Sequence, residues 1–247
     1  MAGAYLHWGW GSPMAGRVWQ VKVRTEAPPG VGQYLALDNG TIDGAGWYLG
    51  VQTDLFRPGV GGVGPGVIFS SWATRSGDDL EVAAGGYAEV GDHEGGFVGV
   101  RLPVRLRPGR WRFALWRAGA VPTSAGGGDR FRLTVTPPDG RAVDAGAIAF
   151  PRASPSRPAT IGSGGTGFWE LYAGAVTPDV VPRWEVAVMA HDPGSGARCP
   201  SGAVSYPRFP DRPPFEAVDA WFDRRSGMVE VRAGAGVRTD HPARRWP

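Results

Sequence analysis

The sequence predicts an all-β protein, an antiparallel two-sheet β-sandwich of the jelly-roll or lectin-like kind with little or no helix. Three observations predict it. Short runs between Trp47 and Trp116 alternate apolar and polar residues with period two, as a half-buried strand does. Turn residues separate these runs, with Gly (40) and Pro (23) together making 63 of 247 residues. No stretch carries the 3.6-residue period of a helix of ordinary length. A hydrophobic content of 42%, with 11 Trp, supplies a large core and argues against disorder.

Taken in order, Tyr5 to Trp10 already looks structured. Arg17 to Arg24 reads as a strand, with Val18, Gln20 and Lys22 opposite Trp19, Val21 and Val23. Pro28-Pro29-Gly30 turns it, and Gln33 to Leu37 is a short strand. In the following Asp38-Asn39-Gly40-Thr41-Ile42-Asp43-Gly44, the Asn-Gly pair is a hairpin signal and sets the expected turn. Asp38 and Asp43, five apart among glycines, are candidate calcium ligands, although a full calcium loop needs more acidic residues. Asn39-Gly40-Thr41 is also a glycosylation sequon, which matters only in a eukaryotic secretory setting.

The central run follows. Trp47, Leu49 and Val51 share the side expected to face the core, and Tyr48, Gln52 and Asp54 share the other. Gly59-Val60-Gly61-Gly62-Val63-Gly64 matches G-x-G-x-x-G but is rejected as a dinucleotide fingerprint. Pro65-Gly66 and a strand follow it, where that motif must open a helix. Val67 to Ala73 alternates less cleanly, which suggests cover on both faces. From Phe97 to Leu106, Val98, Val100, Leu102, Val104 and Leu106 oppose Gly99, Arg101, Pro103 and Arg105, with Pro103 marking an edge or bulge. Pro108-Gly109 turns into Arg110 to Arg117, where Trp111, Phe113 and Leu115 oppose Arg110, Arg112 and Trp116.

Ala118 to Gly128 reads as a loop. Asp129 to Thr136 and Ala142 to Phe150 form a hairpin about Pro137-Pro138-Asp139-Gly140. The chain reads as a single β-sandwich domain over residues 1–247, with a Pro/Ser/Gly-rich loop or lobe boundary at 151–167. Phe168 to Tyr172 and Trp184 to Met189 are further strands. A last hairpin turns at Arg224 to Gly227, and His241 falls in a tail.

Composition excludes several classes. Net charge is +3 and no run of five or six like charges occurs, which speaks against nucleic-acid binding. Lys22 is the only lysine and Asn39 the only asparagine, a bias typical of a high-GC genome that discounts the arginine count. Cys199 stands alone, so no internal disulfide forms. No stretch approaches 18 apolar residues, so nothing spans a membrane as a helix. Met1 to Tyr5 has neither region of a signal peptide. A secreted protein with its signal removed is expected ahead of a cytoplasmic one.

If the central strands lie side by side, their outer faces pool Tyr48, Gln52, Asp54, Ser70, Trp72, Arg101, Arg112 and Trp116. Rings beside hydrogen-bonding and charged groups suit flat, hydroxyl-rich ligands such as sugars. The plainer alternative is solvent-facing strand residues whose rings cover neighbouring glycines. Candidate catalytic carboxylates are Asp54, Asp92, Glu94, Glu170 and Glu185. Asp92-His93-Glu94 supplies acid, base and ligand types, but adjacent strand residues diverge, so a solvated turn is the alternative. Glu170 and Glu185 have aromatic surroundings in sequence. A buried carboxylate there would titrate high and serve as a general acid, the alternative being two exposed strand residues.

Four strings, Gly46 to Gln52, Val67 to Trp72, Glu94 to Phe97 and Pro108 to Phe113, resemble an uncharacterised bacterial family of secreted β-sandwich proteins, often found beside carbohydrate-related modules. The resemblance covers roughly residues 45 to 117, with a weaker echo at Ala220-Trp221-Phe222. The chain departs from the family in lacking the usual signal peptide and in carrying Asp92-His93. The resemblance implies the sandwich fold and leans toward glycans, without an activity to carry over. The expected function is therefore carbohydrate binding through the central face, with no cofactor. A glycan-processing enzyme using a carboxylate pair is the first alternative, and a structural or partner-binding module the second.

Overall fold

The computed structural model describes residues 2–26, 31–92, 95–172, 180–207 and 217–246. Its strands in chain order are β1 (Ala2–Gly9), β2 (Gly16–Val23), β3 (Gln33–Ile42), β4 (Ala45–Gln52), β5 (Phe56–Arg57), β6 (Gly61–Gly62) and β7 (Gly66–Ser71). Then come β8 (Leu80–Glu81), β9 (Tyr87–Gly91), β10 (Phe97–Pro103), β11 (Gly109–Thr123), β12 (Gly126–Thr136) and β13 (Val143–Pro151). The last are β14 (Gly164–Leu171), β15 (Trp184–His191), β16 (Ser201–Ser205), β17 (Val218–Asp223), β18 (Met228–Ala233) and β19 (Arg244–Trp246). One turn of 3-10 helix, Gly77–Asp79, precedes β8.

These strands form two large antiparallel sheets packed face to face, the predicted sandwich. A nine-stranded sheet runs β19-β16-β1-β14-β3-β4-β7-β10-β9, and an eight-stranded sheet runs β17-β18-β15-β2-β11-β12-β13-β8. The period-two pattern is obeyed closely. Trp47, Leu49 and Val51 of β4 are buried against Trp19, Phe113 and Leu115 of the other sheet in one hydrophobic cluster. Eight tryptophans lie in the interior, and Trp19 meets Trp47 edge-on with centroids 6.3 Å apart. Residues 151–163 cross from β13 to β14. They bury Ala159 and Ile161, and Ile161 bridges both Met14 and Ile42.

Several local expectations are corrected. The hairpin after β3 turns at Asp43-Gly44, not at Asn39-Gly40. Asp43 (φ 48°) and Gly44 (φ 88°) supply the two positive φ angles that a tight type I′ turn requires. Asn39 and Gly40 instead pair with Tyr48 and Trp47 inside the ladder. Residues 118–128 are not a loop. β11 continues through a bulge at Gly119 and turns only at Ser124-Ala125 into β12. Pro103 marks neither an edge nor a bulge but the end of β10, a strand held between β7 and β9. His241 is not a free tail: its Nδ1 is 2.7 Å from Asp219 Oδ2, its ring stacks on Trp221, and the chain goes on to form edge strand β19.

Candidate functional site

The outer face of the nine-stranded sheet is assembled by register. Glu170 pairs with Tyr34, and Tyr34 with Gln52. Asn39 pairs with Tyr48, and Tyr48 with Ser70. Ser70 pairs with Gly99 and Gly99 with Glu89, while Ile68 pairs with Arg101. Cross-strand partners point the same way, so these residues share one surface. A bulge between Ala36 and Asp38 sets the phase of β3. It lets both Leu37 and Asp38 turn inward while Ala36 and Asn39 face out.

Over this face lies a cavity of about 540 Å³, lined by Tyr34, Asn39, Tyr48, Gln52, Phe56, Trp72, Glu89, Phe97, Arg101, Phe168, Glu170 and Tyr172. Small residues make room for it. A Cβ on Gly50 would stand 2.1 Å from the Leu35 carbonyl oxygen, so no larger residue fits that sheet. Aromatic rings cross the strands in sequence. Trp72 meets Tyr48 at 4.9 Å, Tyr48 meets Tyr34 at 5.9 Å, Tyr34 meets Phe168 at 5.4 Å, and Phe168 meets Tyr5 at 6.2 Å. This row spans five adjacent strands, about 19 Å at a strand spacing near 4.8 Å.

One wall is built by residues 53–65, which fold back over the sheet. Leu55 and Val63 pack on Ile68 and Tyr87, which explains why β7 is covered on both faces. Tyr87 Oη donates to the Phe56 carbonyl at 2.8 Å, and the Tyr172 hydroxyl donates to the Asp54 carbonyl. Asp54 Oδ1 accepts from Gly64 N at 3.1 Å. Burial pushes the Tyr172 phenol well above its ordinary value, and the charges of Asp54 and Glu170 push the same way. At the other wall Arg101, 3% exposed, lies along the sheet: its Nε donates to Glu89 at 2.7 Å and its Nη1 to Ser70 Oγ at 2.8 Å. Its guanidinium occupies the space over Gly99 and sits 5.7 Å from the Phe97 ring centroid.

Of the predicted ligand residues, Tyr48, Gln52, Trp72 and Arg101 come together in this cavity, and Asp54 sits at its rim. Arg112 and Trp116 do not. The chain leaves the nine-stranded sheet after Pro103, and β11 pairs with β2 and β12 in the other sheet, so both residues face the opposite side of the sandwich. Among the candidate carboxylates, Glu170 lines the cavity. Glu185 belongs to β15 of the eight-stranded sheet and is held by Arg183. Asp92 is exposed beside β9, and Glu94 lies outside the described residues, as does His93.

The candidate calcium ligands are engaged elsewhere. Asp38 is fully buried between the sheets, with Oδ2 2.6 Å from Arg17 Nη1 and Oδ1 accepting from Asn39 N. Burial pushes its carboxyl up to about 6, against the opposing pull of Arg17. Asp43 accepts the backbone N–H groups of Ala153 and Thr160, each at 3.0 Å. Among the described residues no group of three His, Cys, Asp or Glu side chains is placed to hold a metal ion.

Sequence reasoning missed Tyr34, Asn39, Phe97, Glu89, Phe168 and Tyr172. Phe168 and Tyr34 alternate correctly within their own strands, so parity could have found them. Nothing local says that β3 and β14 lie beside β4. No family model matches this chain, and a search of curated proteins also finds no match.

Proposed function

We propose that the outer face of the nine-stranded sheet binds an oligosaccharide. The row of rings from Trp72 to Tyr5 carries this reading. Its length of about 19 Å suits several consecutive sugar rings. Aromatic faces offer apolar contact to the C–H side of a sugar. Asn39, Gln52, Glu89 and Glu170 add hydrogen-bonding groups along the row, which orient hydroxyls. The resemblance over residues 45–117 leans the same way.

Isothermal titration against a panel of neutral and acidic oligosaccharides tests the reading. Binding to at least one class is expected, weakened roughly tenfold by Trp72→Ala or Tyr48→Ala. Trp116→Ala, on the far sheet, serves as the unaffected control. Absence of binding to every member, or equal affinities for wild type and Trp72→Ala, would overturn it.

A second reading, a glycan-processing enzyme, is favoured by one observation: Tyr172 lines the cavity beside Glu170 and its hydroxyl donates to the Asp54 carbonyl, which sets two carboxylate residues at one end of the cavity. Release of reducing ends, abolished in Glu170→Gln and Asp54→Asn, is the expected outcome of this reading. Binding without any turnover returns the face to recognition alone.

A further inference from the structure

We propose that the outer face of the eight-stranded sheet carries a second, separate ligand site, built for a sulfate or phosphate ester on a small organic body. A cavity of about 490 Å³ opens there, on the opposite side of the sandwich from the aromatic row. This volume falls in the range of small-molecule sites.

Its charge is the distinguishing feature. Lys22 of β2 stands directly across from Arg110 of β11, and Gln20 across from Arg112. Arg198 enters from the segment after β15. Like charges directly opposite on a sheet repel and destabilise it. No Asp or Glu is among the lining residues. Nine arginines of this protein do find carboxylates, including Arg24 at the cavity edge, which pairs with Glu230. Lys22, Arg110, Arg112 and Arg198 make no ion pair among the described residues. Nine of the 25 arginines thus have a carboxylate partner among the described residues, whereas these four cations gather on one cavity without one. A tetrahedral oxyanion supplies the missing charge, and guanidinium groups match its geometry in bidentate fashion.

Two further observations fit. His191 lines the same cavity, its Nε2 is buried without a hydrogen-bond partner among the described residues, and the charges of Arg198 and Arg112 reach it. Met189, Met228 and Pro138 give apolar walls, which a bare inorganic ion does not use but an organic ester does.

The test titrates the full chain, at fixed low salt, with a hexose 6-phosphate, the matching hexose 6-sulfate, the uncharged hexose and inorganic phosphate. At least one ester is expected to bind, more tightly than inorganic phosphate, with no binding of the uncharged hexose and movement of the His191 ring resonances. Which ester binds tighter identifies the source of the anion. Arg110→Ala and Arg112→Ala, both exposed and so harmless to folding, are each expected to weaken the tighter ester roughly tenfold. Arg244→Ala, exposed on β19, is expected to change nothing. No binding of either ester, equal binding of the uncharged hexose, or equal losses in Arg244→Ala and Arg112→Ala would overturn the proposal. Trp72→Ala separates the two faces: loss of ester binding in that variant also overturns it, whereas failure of the oligosaccharide titrations does not bear on it.

Discussion

Asp38 meets Arg17 in the dry space between the sheets. Arg17 projects from β2 and Asp38 from β3, so the pair ties one sheet to the other, and Arg17 also donates to the Gly162 and Gly164 carbonyls. Burial outweighs the pairing here, since the Asp38 carboxyl is pushed up in spite of Arg17. The pH dependence has a definite sign. Folding raises the Asp38 carboxyl from 3.8 to about 6, so the native state binds the proton more tightly than the unfolded chain. Stability from this group is therefore fullest below about pH 4, falls between pH 4 and 6, and is flat above. Relative to Asp38→Asn, the wild type is expected to lose up to about 3 kcal/mol across that interval. Urea midpoints of the two proteins at several pH values measure it, and parallel curves would refute it. The sequence singled out Asp38 as chemically interesting but read it as a metal ligand. What it lacked was the bulge at residues 36–38, which turns the side chain inward.

The β3–β4 hairpin is the element on which the aromatic cavity depends, because its register puts Tyr34, Asn39, Tyr48 and Gln52 on one side. Its turn lies at Asp43-Gly44, with Gly44 at φ 88°. Gly44→Ala forces an L side chain into a left-handed conformation and is expected to cost about 1–2 kcal/mol. Gly40 has no such backbone demand, and an added Cβ would approach the Gly164 carbonyl only to 3.3 Å. Gly40→Ala is thus expected to cost less than half as much in the same denaturation experiment. The reverse ranking would move the turn back to Asn39-Gly40. Element existence was legible throughout the central run, since β4 and β11 alternate as read and β7 is covered on both faces as its weaker alternation suggests. Element partnership was not. Inner and outer sheets of a sandwich share the same alternation, so the passage from β10 across to β11 leaves no mark in the pattern beyond Pro103 and Pro108.

At the scale of the molecule, the two faces that carry the cavities look away from each other, and a shared tryptophan-rich interior lies between them. Charge divides them as well. Rings dominate one face, while the other holds the open cations Lys22, Arg110, Arg112 and Arg198. The fold class was readable because period two is a local property. The pairing of β1 with β14 and β16 was not, since those partners lie more than 150 residues along the chain. Such distant pairings delay folding, so refolding from urea is expected on the scale of milliseconds to seconds or slower. Stopped-flow tryptophan fluorescence checks this, and complete recovery within microseconds would contradict it.

The place of β1 has one more consequence, for synthesis. β1 is made well before its hydrogen-bonding neighbours, Gly164–Leu171 and Ser201–Ser205, which follow more than 150 residues later. Throughout elongation, Leu6 and Trp8 remain without the ladder that will bury them. The half-made polypeptide thus carries an adhesive, unzipped edge until both neighbours have been made.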